Sequence, residues 1–115
     1  AHMAACDYVG IVSANKVPDK FAKAGFTAEH SDLVDAPIIK ELAICVECKL
    51  KSYDPKTCRL VGEIVNVSVD ESVLDDKGNV DVAKAAPITF DPFNNAYIKL
   101  GEKVGNAFKD GAILK

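Results

Sequence analysis

The chain has 115 residues, 49% of them hydrophobic and 27% charged, with a formal net charge of −3. That is the length and composition of one soluble globular domain, able to bury a core without staples. Lys and Arg are interspersed among acids, which excludes the basic stripe of a nucleic-acid surface and the polybasic cluster of a membrane contact.

The elements are predicted in chain order as follows. Residues 3–11 suggest the end of a helix, stopped at Gly10. Ser13 to Pro18 is a polar loop. Pro18 to Ala24 forms a short helix with Gly25 beyond it and Phe21 as its core anchor. Thr27 to Asp32 starts another helical turn with Thr27 as N-cap. Val34 to Ile39 is extended, because Pro37 disfavours helix at the residue before it. From Ala43 to Tyr53 the pattern has period two. Ile44, Val46, Cys48 and Leu50 share one face, and Glu47, Lys49 and Lys51 share the other. Asp54 to Thr57 is a turn. A second strand runs from Cys58 to about Val69, with apolar residues in both registers, as in a strand covered on both sides. The two strands make a long antiparallel hairpin. Glu71 to Leu74 is one helical turn, Asp75 to Asn79 a tight turn around Gly78, and Val80 to Ala86 a short helix. Ile88–Phe90 and Ala96–Ile98 are short strands joined across Asp91–Asn95. Gly101 to Phe108 is expected to be a small terminal helix, ended by Gly111.

No internal repeat and no low-complexity tract appears. No uncharged run reaches the roughly 20 residues of a bilayer span. No basic segment precedes an apolar one in the manner of a signal peptide, so a cytoplasmic location is expected. Ala1-His2-Met3 reads equally as a cloning scar or as native sequence.

Four cysteines are present: Cys6, Cys45, Cys48 and Cys58. Cys45-Val-Glu-Cys48 has the spacing of half a zinc or iron–sulfur site. No second such pair and no histidine pair accompanies it, and it lies in an alternating stretch where residues three apart face opposite sides. Buried or half-buried free thiols are expected, with no metal site and no disulfide. His2 and His30 are the only histidines, which leaves little for a catalytic triad. Asp75-Asp76 before Gly78 lacks the spaced ligands of a calcium loop. No phosphate-loop or dinucleotide fingerprint exists. Asn66-Val-Ser68 is a glycosylation sequon inside a strand, without a signal peptide.

An ordered set of phrases nevertheless points to one family. They are Asp7-Tyr-Val-Gly-Ile-Val-Ser13, Asp19-Lys-Phe21, Val34-Asp-Ala-Pro-Ile-Ile39, Val46-Glu-Cys-Lys49, the strand Leu60 to Glu71, and Tyr97 with Leu100-Gly-Glu-Lys-Val-Gly105. Together they resemble the flavin reductase-like proteins with an FMN-binding split β-barrel, the flavoredoxin type among them. The resemblance covers nearly the whole chain, which begins where the second half of such a protein would begin. It implies a mainly β fold with short helices, part of an antiparallel, Greek-key-like split barrel. In those terms 1–42 is a helical and loop lead-in, 43–71 the long hairpin, and 72–115 the closing strands and short helix.

The same resemblance implies FMN as cofactor and a homodimer with the flavin near the subunit interface. The activity implied is hydride or electron transfer, as an NAD(P)H:flavin oxidoreductase or a flavoredoxin-type carrier with an electron acceptor as partner. The family's N-terminal half, with its first barrel strands and much of its flavin-binding surface, has no counterpart here. Asn95 stands where relatives often have His, and Ala14-Asn15 where many show Gly-Arg. The residues the resemblance points to are Lys20 for the FMN phosphate, helped by Ser13, Asn15 and Lys16, and Asn95 and Tyr97 for the ring, Tyr97 by stacking. Each has a plainer reading: a solvated lysine, ordinary loop and turn chemistry, or a core or interface aromatic. No catalytic residue is singled out. The alternative function is a flavin-free remnant or dimerisation module without catalysis, whose long hairpin has open edges ready to pair.

Overall fold

The computed structural model describes residues 2–114. It divides into two compact units, the first ending at Ala85 and the second beginning at Ala86.

The first unit opens with helix α1, Met3–Ile11. Gly10 lies inside it rather than stopping it, and Val12 ends it by turning extended. A loop of turns leads to the short helix α2, Lys20–Lys23, with Gly25 beyond it at φ +78°, a conformation that costs glycine little. Phe21 is half-buried. The buried aromatic is Phe26, packed on Phe21 with ring centroids 5.7 Å apart.

Residues 27–32 do not form the expected helical turn. Ala28–His30 is strand β1, paired antiparallel with β2, Pro37–Ile39. Thr27 is not an N-cap; its N–H donates to the Glu41 carboxylate at 2.8 and 3.0 Å. Partners beyond the local window therefore override the capping signal.

The predicted long hairpin is present. β3, Ile44–Asp54, pairs antiparallel with β4, Arg59–Val69. Its turn is set by Asp54, whose carboxylate accepts from Lys56 N–H and Thr57 Oγ, both at 2.9 Å. The register shifts between Glu47 and Cys48 and again between Leu50 and Ser52, the signature of bulges that bend and twist a ribbon. Gly62, opposite Leu50, lies so close to β3 that an added Cβ would sit 3.1 Å from Cys48 Cβ.

Burial on this ribbon reverses the expectation. Val46, Leu50, Leu60, Ile64 and Val67 are exposed, whereas Glu47 is buried. β4 is not covered on both sides. Alternation sorted the two faces by polarity, but cover on β3 is confined to Glu47 and half-buried Cys45, while Lys49 and Lys51 beyond them are exposed. Of the cysteines, Cys6 and Cys45 are half-buried and Cys48 and Cys58 exposed, all as free thiols. Two of the four therefore lack the expected cover.

A 3-10 turn, Glu71–Val73, follows, with the Asp70 side chain accepting from Ser72 N–H. Val73 is buried. The Asp75–Asn79 turn closes through Asp75 N–H to Asn79 O at 2.8 Å, with Gly78 at φ +78°. Helix α3, Val82–Ala85, completes the unit.

In the second unit β5, Ile88–Asp91, pairs antiparallel with β6, Ala96–Lys99. The expected terminal helix over 101–108 is absent; regular structure returns as a 3-10 segment, Asp110–Leu114. Two glycines raise the entropic cost of a helix there, Phe108 has φ +63°, and Val104 and Phe108 have no covered face to dock on, being 102% and 106% exposed. Among the described residues no helix is long and apolar enough to cross a membrane.

Candidate functional site

The residues named from the sequence fall into two groups, one in each unit. The first lies just after α1, where the chain leaves the helix and its last carbonyls have no intrahelical partner. Ser13 O accepts from Lys16 N–H and Val17 N–H, both at 3.0 Å, and Ser13 Oγ accepts from Asn15 N–H at 3.3 Å. These bonds fold 13–17 into a tight loop with Ser13, Asn15 and Lys16 exposed.

Lys20 is placed differently. It is half-buried, and its Nζ donates to Val9 O and Val12 O, each at 3.0 Å. Its ammonium thus closes the C-terminal end of α1, where carbonyl oxygens and the helix dipole favour a cation. Lys16 is the exposed cation of the loop, beside an exposed hydroxyl and amide.

The second group is the β5–β6 hairpin. Asp91 shapes its turn, accepting from Phe93 N–H at 2.9 Å and Asn94 Nδ2 at 2.7 Å. Asn95 is exposed in the left-handed region at φ +50°, which Asn tolerates better than most residues. Tyr97 sits opposite Phe90 across the ladder, with ring centroids 5.8 Å apart and planes tilted by 58°. Both rings keep exposed surface, and Phe93 at the turn is 92% exposed. Together they offer aromatic surface of the kind that stacks on a planar ligand. Phe90 and Phe93 join Tyr97 here, although the family resemblance does not point to them. The register across Asp91–Asn95, which puts Phe90 opposite Tyr97, was the available signal.

Two further features were not anticipated. A groove of about 250 Å³ is lined by Ile38, Ile39, Leu42, Ala43, Cys45 and Val69 among others. None of the residues named above lines it. The other is a buried polar cluster of Ser31, Glu47 and Asn66. Hydrogen bonds from Ser31 and then Asn66 hold the Glu47 carboxyl below the usual glutamate value. Among the described residues no group of three His, Cys, Asp or Glu side chains is placed to hold a metal ion.

The donor chemistry fits the cofactor implied by the resemblance in kind. A loop cation, hydroxyl and amide suit a phosphate, and an exposed tyrosine face suits a flavin ring.

No protein-family model matches the chain. It is 42% identical over 72 residues to an uncharacterized protein of Aquifex aeolicus (strain VF5), a match covering 61% of this chain and 37% of that protein. Among solved structures it is similar to the flavoredoxin of Desulfovibrio vulgaris (Miyazaki F), with TM-score 0.87 and 37% identity over 96% of this chain and 59% of that one. It is also similar to a flavoredoxin from Methanosarcina acetivorans, with TM-score 0.81 and 31% identity over 95% of this chain and 57% of that one. The chain therefore spans less than two thirds of the length of these relatives. Its short helices and separate antiparallel ribbons are the architecture of the split β-barrel that such proteins share.

Proposed function

We propose, on the premise of this homology to flavoredoxin-type split β-barrel proteins, that the chain belongs to an FMN-binding redox protein and carries part of its flavin site. The observation that supports the reading most is the likeness to a flavoredoxin over 96% of the chain at 37% identity.

When bound, FMN supplies the redox chemistry by accepting a hydride or electrons at its ring. The chain's own residues would bind and orient it. Lys16 would offer a point charge to the phosphate, with the Ser13 hydroxyl and the Asn15 side-chain amide as donors. Lys20, bonded to two helix carbonyls, has one ammonium N–H left to add to the same anion and otherwise fixes the loop that presents Lys16. Within the second unit, taken by itself, Tyr97 would stack on a flavin ring, with its tilt set by Phe90 beneath it, and Asn95 would hydrogen-bond the ring edge. If the whole protein is an enzyme, the same reading makes it an NAD(P)H:flavin oxidoreductase or an electron carrier, cytoplasmic and homodimeric.

Incubation with FMN followed by desalting tests this. Retained absorbance at the flavin's visible bands is expected, weakened in Lys16→Ala. A colourless protein at all FMN concentrations would remove the proposal.

A second reading has its own observation. The exposed apolar side chains of β3 and β4 favour a flavin-free assembly module whose ribbon pairs with another chain. It predicts self-association with no flavin retained.

A further inference from the structure

Glu47 is 6% exposed, and among the described residues no ion pair includes it. A buried carboxylate without a cation needs hydrogen-bond donors on both oxygens. It has them: Ser31 Oγ donates to Oε1, and Asn66 Nδ2 donates to Oε2 at 2.5 Å.

The direction of these bonds is fixed. Ser31 Oγ already accepts from Leu33 N–H at 3.0 Å and Val34 N–H at 3.1 Å. Both lone pairs of the hydroxyl are engaged, so its O–H can only donate. The centre of the cluster must therefore be an acceptor toward Ser31. A protonated carboxyl turns one oxygen into a donor facing a donor, unless the Asn66 amide turns over.

Residues 31–36 connect β1 to β2, and Ser31 is their only buried member. Leu33 is 52% exposed. Val34 is half-buried and no apolar side chain of the turn is fully covered, so its one buried side-chain attachment to the ribbon runs from Ser31 to Glu47. The other titratable groups on the elements around Glu47 are Glu29, His30, Asp32, Asp35, Lys40 and Glu41 on the hairpin side, and Cys45, Cys48, Lys49, Lys51, Tyr53, Asp54, Arg59 and Glu63 on the ribbon strands. Glu41 and Cys45 are half-buried and the others are exposed. Three pairs among them, Glu29–Lys40, His30–Asp35 and Lys51–Glu63, are mutually engaged.

We propose that the 31–36 turn is a detachable strap, fastened to the β3–β4 ribbon by the ionised carboxylate of Glu47 and released when that carboxylate is protonated or replaced. The strap is a conformational device, independent of flavin binding. Its release leaves the β3–β4 ladder paired and opens the polar centre of the ribbon around Asn66.

Amide hydrogen exchange followed by NMR on the whole chain tests it, with rates corrected for intrinsic pH dependence. In Glu47→Leu the Leu33 and Val34 amides should exchange about tenfold faster or more while the β3–β4 amides keep their protection. Glu47→Gln should fall between, because an overturned Asn66 amide can accept from it. In the unaltered chain the same two amides should lose protection before the ladder as pH falls below the ordinary glutamate value of 4.5. Loss of protection at the strap and ladder together would overturn the proposal. So would strap amides indifferent to acid in the unaltered chain, a measurement that needs no variant to fold.

Discussion

Lys16 and Lys20 sit four residues apart in very different surroundings. Lys20 closes α1 through two carbonyls at 3.0 Å, while Lys16 stands in solvent. Lys20→Ala is therefore expected to lower stability by about 0.5–1 kcal/mol, read as a melting temperature a few degrees lower. Lys16→Ala should leave the melt alone and weaken FMN binding about tenfold, the loss of one point charge on a phosphate; a fluorescence titration of FMN separates the two. The phrase Asp19-Lys-Phe21 marked Lys20 as important but could not reveal its role. The carbonyls it meets lie eight and eleven residues earlier.

Acid sensitivity also belongs to individual residues. Glu41, Glu47, Asp54, Asp70, Asp75 and Asp91 are held below their ordinary values by hydrogen bonds donated to the carboxylate. Each folded-state pKa lies below the unfolded one. Their contribution is thus complete above the ordinary values of 3.8 and 4.5 and is lost as pH falls through the folded-state values. Urea midpoints should accordingly stay level, on account of these groups, from neutral pH to about pH 5 and decline only below that. A decline that begins near pH 6.5 would assign the acid sensitivity elsewhere.

At the scale of elements, the β3–β4 hairpin tests how tightly a strand pair can approach. A side chain at Gly62 meets Cys48 Cβ at 3.1 Å, so Gly62→Val should cost about 1–3 kcal/mol, measured as a lower urea midpoint at unchanged slope. The hairpin, its Asp54 turn, the Gly78 turn and the β5–β6 pair were legible in the sequence because each is specified by alternation or by a side chain bonding its own neighbourhood. β1 and the tail beyond Gly101 were not. β1 depends on partners in residues 37–41, and the tail's helical spacing has no covered surface for its apolar residues. The candidate site was legible only as residue types on loops. Its aromatic part needed the cross-strand register, and the Ser31–Glu47–Asn66 cluster needed the covered part of the ribbon, which alternation alone does not identify.

At the scale of the whole molecule, the ribbon's exposed apolar residues are its main open account. Leu60 and Ile64 are 65% and 63% exposed, and relatives carry polypeptide beyond the span matched here. Apolar surface of this kind associates. Leu60→Lys with Ile64→Lys should therefore reduce self-association in light scattering without altering the hairpin's circular dichroism. If the unaltered chain already scatters as a monomer at high concentration, the homodimer reading fails. The resemblance seen in scattered phrases extends to nearly the whole chain as a matter of fold. Sequence periodicity alone described a sheet with a covered apolar face, because it assumes that a second layer is present.

The most direct examination of the flavin site is an amide chemical-shift map of the labelled chain titrated with FMN. Saturable shifts concentrated at residues 13–16 and 95–97 are expected. Shifts confined to the groove of Ile38, Leu42 and Cys45, or none at millimolar FMN, would contradict that site.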